Sequence, residues 1–282
     1  MSKPLVAVQM IIFGKEVETH GFRKVLEYVS SLGVREIELS KVPINQDTVP
    51  EIEALCKELN LHACAMNAGF DPGTGLNVTE NLEEIAGYAN RLNCQYVRIG
   101  SLPSWVYGKE DAHFRYAEKL EEIGKAFAAH GVKFYHHHHE FEFQRYNGKF
   151  GMEILMENTD PNHVGFEMDT HWLQFAGQDP VQWIRKMQGR ADLVHLKDYR
   201  IVMPPEGVSG EVTSPKEVRK KVVQFAEIGT GSLDMPGIID ACIETGVKYM
   251  PIEQDTPYNL SPYDSIKISV DNIRKMGFAD CF

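Results

Sequence analysis

The sequence predicts a single closed (β/α)8 barrel, and three observations carry that prediction. Eight short β-rich runs alternate with helical patterns from end to end of 282 residues, a length at which α/β barrels commonly form one unit. Several helical patterns stop at a glycine directly before the next strand. Four of the later strands run into side chains that bind metal, and a closed barrel of parallel strands gathers all its strand ends at one mouth.

The elements follow in order. Residues 5–11 are apolar but interrupted by Gln9, too short and too weakly flanked for a signal peptide or a membrane span. No glycine-rich phosphate turn follows in residues 9–14, which counts against an open doubly wound sheet. A helix over 22–31 stops before Gly33, and further strands are expected at 36–40 and 61–66 around a helix at 50–59. In the helix over 81–92, Leu82, Ile85, Ala86, Ala89 and Leu92 form one apolar face. A strand at 96–100 leads to a helix at 113–130 that Gly131 ends, since glycine supplies the left-handed turn that closes a helix. Strands at 132–138 and 163–168 alternate with helices at 150–158 and 180–187. A strand at 193–197 is followed by an irregular stretch over about 199–226 on the mouth side, expected as a lid or substrate wall or else as a solvated insertion. A helix at 235–245 ends before Gly246, and the last strand and helix lie at 249–253 and 261–276. No interdomain linker interrupts this series, so one domain over 1–282 is expected.

Composition narrows the function classes. With 43% hydrophobic and 24% charged residues, the chain reads as a soluble globular enzyme. Its formal net charge of -11 repels polyanions and argues against nucleic-acid binding. The five cysteines are odd in number and form no CxxC pair, which predicts reduced thiols and a cytoplasmic protein. No membrane association is expected.

The chemistry-bearing residues cluster late in the chain. In the run His136-His-His-His139, alternation puts His137 and His139 on one strand face and His136 and His138 on the other. Periodicity alone leaves open which pair faces the lumen. Glu142 follows on the adjoining loop. Glu167, Asp169 and His171 share one alternating face, as do His195 and Lys197, and Glu253 with Asp255 closes the last strand. So many charges in one barrel mouth need compensation, and a divalent cation is the simplest form of it.

Taken together, the motifs Tyr-His-x-His-Glu-Phe-Glu-Phe, Phe-Glu-Met-Asp-Thr-His-Trp, Val-His-Leu-Lys-Asp-Tyr, Glu227-Ile-Gly-Thr-Gly-Ser-Leu-Asp234 and Pro-Ile-Glu-Gln-Asp resemble the xylose isomerase-like barrels. That superfamily of sugar phosphate isomerases and epimerases also holds inosose dehydratases and endonuclease IV. The resemblance implies four metal ligands: a strand-five carboxylate, Asp169, His195 and Glu253. Many relatives carry the first of these where this chain has His137, so Glu142 is expected to reach in, with His137 and His139 as alternates. Three carboxylates and one imidazole suit Mn2+ or Mg2+, whereas two imidazoles favour Zn2+ or Co2+.

The resemblance further implies a small sugar or cyclitol substrate and a homo-oligomer of the kind common among such barrels. Isomerisation or epimerisation through an enediolate is expected, with Glu142 and Glu253 relaying the proton, His171 and His139 steering hydroxyls, and Lys197 binding a phosphate or easing departure of a hydroxyl. A metal-dependent dehydratase is the runner-up. An endonuclease IV-like nuclease and a non-catalytic carbohydrate-binding barrel are the remaining alternatives.

Overall fold

The computed structural model describes residues 3–73, 75–203 and 222–282. Eight parallel strands form one sheet: β1 Leu5–Gln9, β2 Glu36–Leu39, β3 His62–Ala68, β4 Tyr96–Ile99, β5 Lys133–His137, β6 Val164–Asp169, β7 Val194–His195 and β8 Tyr249–Ile252. β8 pairs with β1 through Leu5↔Tyr249 and Val8↔Ile252. The bridges Leu193↔Tyr249 and Leu196↔Ile252 join β7 to β8, which closes the ring. Thus the (β/α)8 barrel expected from alternation is the fold.

Strand periodicity decides what fills the barrel, because alternate residues face the lumen. Towards the bottom, Ala7, Cys64, Ala65, Tyr96, Tyr135 and Leu193 form an apolar plug that partly buried Tyr249 completes. Gly165 has no side chain where the Tyr135 ring lies, and a Cβ there would collide with it. Two residues further along, the same strands carry Gln9, Arg98, His137, Glu167 and His195, all buried. The change from apolar to polar lining along one face is what builds the site.

Outside the ring, helices cover the sheet with aliphatic faces such as Ile85, Ala86 and Ala89 of Leu82–Arg91. Gly33, Gly131 and Gly246 all adopt positive φ, between 74° and 80°, as expected for helix stops. Three differences from the sequence reading have physical causes. β1 ends at Gln9, whose side-chain oxygen accepts the Ile11 N–H at 2.8 Å and starts a short 3-10 turn over Met10–Phe13. The first helix begins at Gly14, with a break at Gly21. The ends of the stretch over 199–226 pair as an antiparallel ribbon, Asp198–Ile201 with Val223–Ala226. Residues 204–221, the middle of that stretch, lie outside the described residues. No helix among the described residues is long and apolar enough to cross a membrane. All five cysteines are free.

Candidate metal centre and active site

β5 to β8 deliver four side chains to one point. His137, Asp169, His195 and Glu253 are buried, and one ligand atom from each lies within 4.8 Å of all the others. His195 Nδ1 stands 2.7 Å from Glu253 Oε2 and 3.8 Å from Asp169 Oδ2. His137 Nε2 lies 3.6 Å from Asp169 Oδ2 and 4.0 Å from Glu253 Oε2. His137 Nε2 and Asp169 Oδ2 are buried without a hydrogen-bond partner, and buried His195 Nδ1 and Glu253 Oε2 face each other. Buried polar atoms left unpaired are costly. Metal–ligand bonds of roughly 2.0–2.2 Å put neighbouring ligand atoms about 3–3.5 Å apart. Four buried ligand atoms from two imidazoles and two carboxylates, at this spacing, fit a divalent cation.

Three of the four ligand residues are held by partners behind them, whereas His137 Nδ1 has no hydrogen-bond partner. Nε2 of His195 meets Glu38 Oε2 at 2.9 Å and Glu167 Oε1 at 3.0 Å, so Nδ1 faces the cluster. Arg98 forms an ion pair with Glu38 and approaches Glu167 Oε2 at 2.9 Å. Glu38, Glu167 and His195 are themselves close enough to hold a metal, but the Arg98 guanidinium already supplies the cation there. The backbone N–H of Asp169 donates to His138 Nε2 at 3.0 Å. Gln9 donates to Glu253 Oε1 at 3.0 Å, which leaves Oε2 for the cluster.

Electrostatics separate these groups by role. Burial alone would depress His195, but the carboxylates of Glu167, Glu38 and Glu253 outweigh it and raise the imidazole well above its ordinary value. Burial resists ionisation of Asp169 and Glu253, yet Lys197 and His195 hold both below the carboxylate range. Burial and the neighbouring charge of His195 push His137 down, so it is a neutral imidazole. Lys197, despite its burial, is raised by Glu253, Asp169 and Asp255 and stays an ammonium. Its Nζ lies 2.6 Å from Asp255 and 3.4 Å from Glu253. The carboxylates of Glu38, Glu167, Asp169, Glu253 and Asp255 therefore face two permanent cations, Arg98 and Lys197.

Glu142, expected at the metal, is brought elsewhere. Its carboxylate pairs with His136 Nε2 at 2.9 Å and accepts the His139 N–H at 3.1 Å. His136 in turn contacts the Tyr116 hydroxyl at 3.2 Å. Burial disfavours the Glu142 charge, but the His136 hydrogen bond prevails and lowers it. Glu142 thus anchors the end of β5 from the outer face, because His136 and His138 are the outward pair of the histidine run. His137 and His139 are the inward pair.

A cavity of about 200 Å3 opens beside the cluster, lined by His137, His139, Lys197, Glu253, Asn67 and Arg98 among others. His139 is lowered by burial and is neutral, and its Nδ1 has no hydrogen-bond partner. Trp172 stands beside both His139 and Lys197: its ring centre is 5.1 Å from the His139 ring and 5.1 Å from Lys197 Nζ. His171 lies behind Trp172 among Tyr199, Phe175 and Phe225 and is not part of the cavity lining. Burial holds it near 4. Tyr107 stacks on Phe141 and Trp105 packs edge-on against Tyr116, and neither lines the cavity.

Sequence reasoning missed Glu38, Arg98 and Asn67. Arg98 did carry a signal, a charged residue inside the otherwise apolar strand Tyr96–Ile99, where only a paired charge is tolerated, whereas Glu38 alternates with Glu36 in β2 and reads as ordinary strand periodicity.

The family model described as "Xylose isomerase-like TIM barrel" matches residues 26–276. An inosose dehydratase of Lacticaseibacillus casei is 27% identical over 158 residues, which cover 55% of this chain and 51% of that protein. The match thus spans about half the length of that relative. A sugar phosphate isomerase/epimerase from Parabacteroides distasonis superposes with a TM-score of 0.78 at 18% identity, covering 98% of this chain and 99% of the other. A protein named IolI, solved with a bound zinc atom, superposes with a TM-score of 0.68 at 17% identity over 99% of both chains.

Proposed function

The chain belongs to the xylose isomerase-like TIM barrel family, and on that premise we propose that it is a divalent-metal-dependent dehydratase of a keto-cyclitol or keto-sugar. The observation that carries this reading is that His139, with an unpartnered Nδ1, and Lys197, held 2.6 Å from Asp255, line one cavity beside the metal cluster. An imidazole nitrogen without a partner and an ammonium on one cavity wall make a base and an acid available together.

His137, Asp169, His195 and Glu253 would hold the cation. When bound, it supplies Lewis-acid stabilisation of the negative charge that develops on a substrate carbonyl oxygen. His139 accepts the proton from the carbon next to that carbonyl. Lys197 donates a proton to the departing β-hydroxyl, which leaves as water, and Asp255 orients its ammonium. The electrons of the broken C–H bond become the new C=C bond as the C–O bond breaks. Trp172 stands against both groups and shields them from solvent. The likeness to inosose dehydratases supports the same class of substrate.

With two imidazoles and two carboxylates as ligands, we assign the ion as Zn2+ or Co2+ in preference to Mn2+ or Mg2+. The zinc atom of a structural neighbour supports this choice.

Isomerisation or epimerisation is the second reading, favoured by the similarity to a sugar phosphate isomerase/epimerase fold. A two-carboxylate relay would need Glu142 at the cavity, and its engagement with His136 counts against that route. One assay separates the two. Metal-loaded protein incubated with inososes and ketoses should yield a product lighter by one water in mass spectrometry. A product of unchanged mass and altered stereochemistry would instead assign the isomerase.

A further inference from the structure

The cavity beside the metal is small for a ligand site, about 200 Å3, where small-molecule pockets run to roughly 300–1,000 Å3. A second compartment of about 530 Å3 adjoins it across the ends of β2 and β3. The two share Lys41, Asn67, Ala68, Gly69, Phe70 and Ser101 in their walls, so they lie side by side. Only the smaller part touches the metal cluster.

The larger compartment is mixed in character. Pro43, Ile44 and Leu76 line it with apolar surface, whereas Asn45, Asn67 and Asp71 line it with hydrogen-bonding groups. A charged substituent finds no consistent complement there, since Lys41 and Asp71 are both present. A sugar ring does, because it has C–H faces and a rim of hydroxyls.

At the junction, Lys41 holds φ at 55°, a conformation a non-glycine residue adopts at a cost and one that gathers at ligand sites. Lys41 is exposed and forms no ion pair or side-chain hydrogen bond among the described residues. The other two cations of the metal cavity are already neutralised, Arg98 by Glu38 and Glu167 and Lys197 by Asp255 and Glu253.

We infer that the substrate is a keto-sugar bearing a second glycosyl ring: the ketone-bearing ring sits at the metal, the second ring fills the larger compartment, and Lys41 donates to oxygens at the junction. This rests on the keto-sugar reading above for the class of the reacting ring, but its test does not require turnover.

The test is calorimetric titration of zinc-loaded protein with fructose and with three ketose disaccharides, lactulose, turanose and palatinose. At least one disaccharide should bind about tenfold tighter than fructose. Ile44→Trp and, independently, Leu76→Trp, which fill the compartment, should remove that gain and leave fructose affinity unchanged. Circular dichroism and metal content report whether each variant is folded. Equal affinity for fructose and all three disaccharides would overturn the inference, as would a folded variant that weakens fructose and disaccharide alike. A disaccharide gain without any dehydration would uphold the second compartment and sink only the dehydratase assignment.

Discussion

His195 places its Nε2 2.9 Å from Glu38 Oε2, across 157 residues of sequence. That contact, together with Glu167 Oε1 at 3.0 Å from the same nitrogen, orients the imidazole, because with Nε2 turned to carboxylates deep in the barrel only Nδ1 can face Asp169 and Glu253. Outer partners of this kind typically change metal affinity by about 10–100-fold. Glu38→Gln should weaken zinc binding within that range in a chelator-competition titration, while the protein remains folded. Unchanged affinity would show that Glu167 alone suffices to orient the ring.

The ligand set is tested by occupancy rather than by activity. Asp169→Ala and His195→Ala should each lose bound metal in plasma mass spectrometry with little change in far-UV circular dichroism. Glu142→Gln should keep it, since that carboxylate is engaged by His136 and the His139 N–H. His137→Glu should keep a metal but shift preference from zinc towards manganese. Metal lost from Glu142→Gln and retained in Asp169→Ala would reverse the assignment.

For the acid and the base, the expected signature is a fall in kcat without a fall in metal. General acid–base groups contribute about 10²–10⁴-fold. His139→Gln and Lys197→Met should each lose activity within that range on whichever inosose or ketose is dehydrated. Steady-state kinetics with matched metal content checks this, and a change confined to KM would return both residues to substrate positioning.

At the other end of the barrel, Asp192 governs part of the acid limb of stability. Burial opposes its charge, but hydrogen bonds from Lys133 at 2.8 Å and Tyr96 at 2.9 Å prevail and lower its pKa below the ordinary 3.8. A carboxylate depressed in the folded state stabilises fully above its unfolded value, about 3.9. That contribution disappears as pH falls through the folded value. Urea unfolding between pH 6 and pH 2 should therefore show a shallower loss of stability below about pH 4 for Asp192→Asn than for the parent. Parallel curves would remove Asp192 from the acid transition.

Much of this molecule was legible in the chain itself. Strand–helix alternation and helix-stopping glycines such as Gly246 determined the barrel, since each is a local property of backbone and periodicity. Local alternation also put Asp169, His195 and Glu253 at the mouth ends of their strands, because a parallel barrel permits no other common end. Which face of β5 turns inward was not local. Either histidine pair satisfies period two, and the choice of His137 and His139 came from the pairing of β5 with β4 and β6. Glu142 presented the same problem. A loop carboxylate six residues from His136 and a ligand reaching into the mouth are the same letters in sequence, and only the folded chain shows the hydrogen bond that decides between them. Glu38 and Arg98 likewise acquired their roles from the closed ring, which brings β2, β4, β6 and β7 to one axis although more than 150 residues separate Glu38 from His195. Sequence determined which elements form and where their charges fall along each strand; the tertiary structure decided which charges meet, because that depends on register and closure summed over all eight strands.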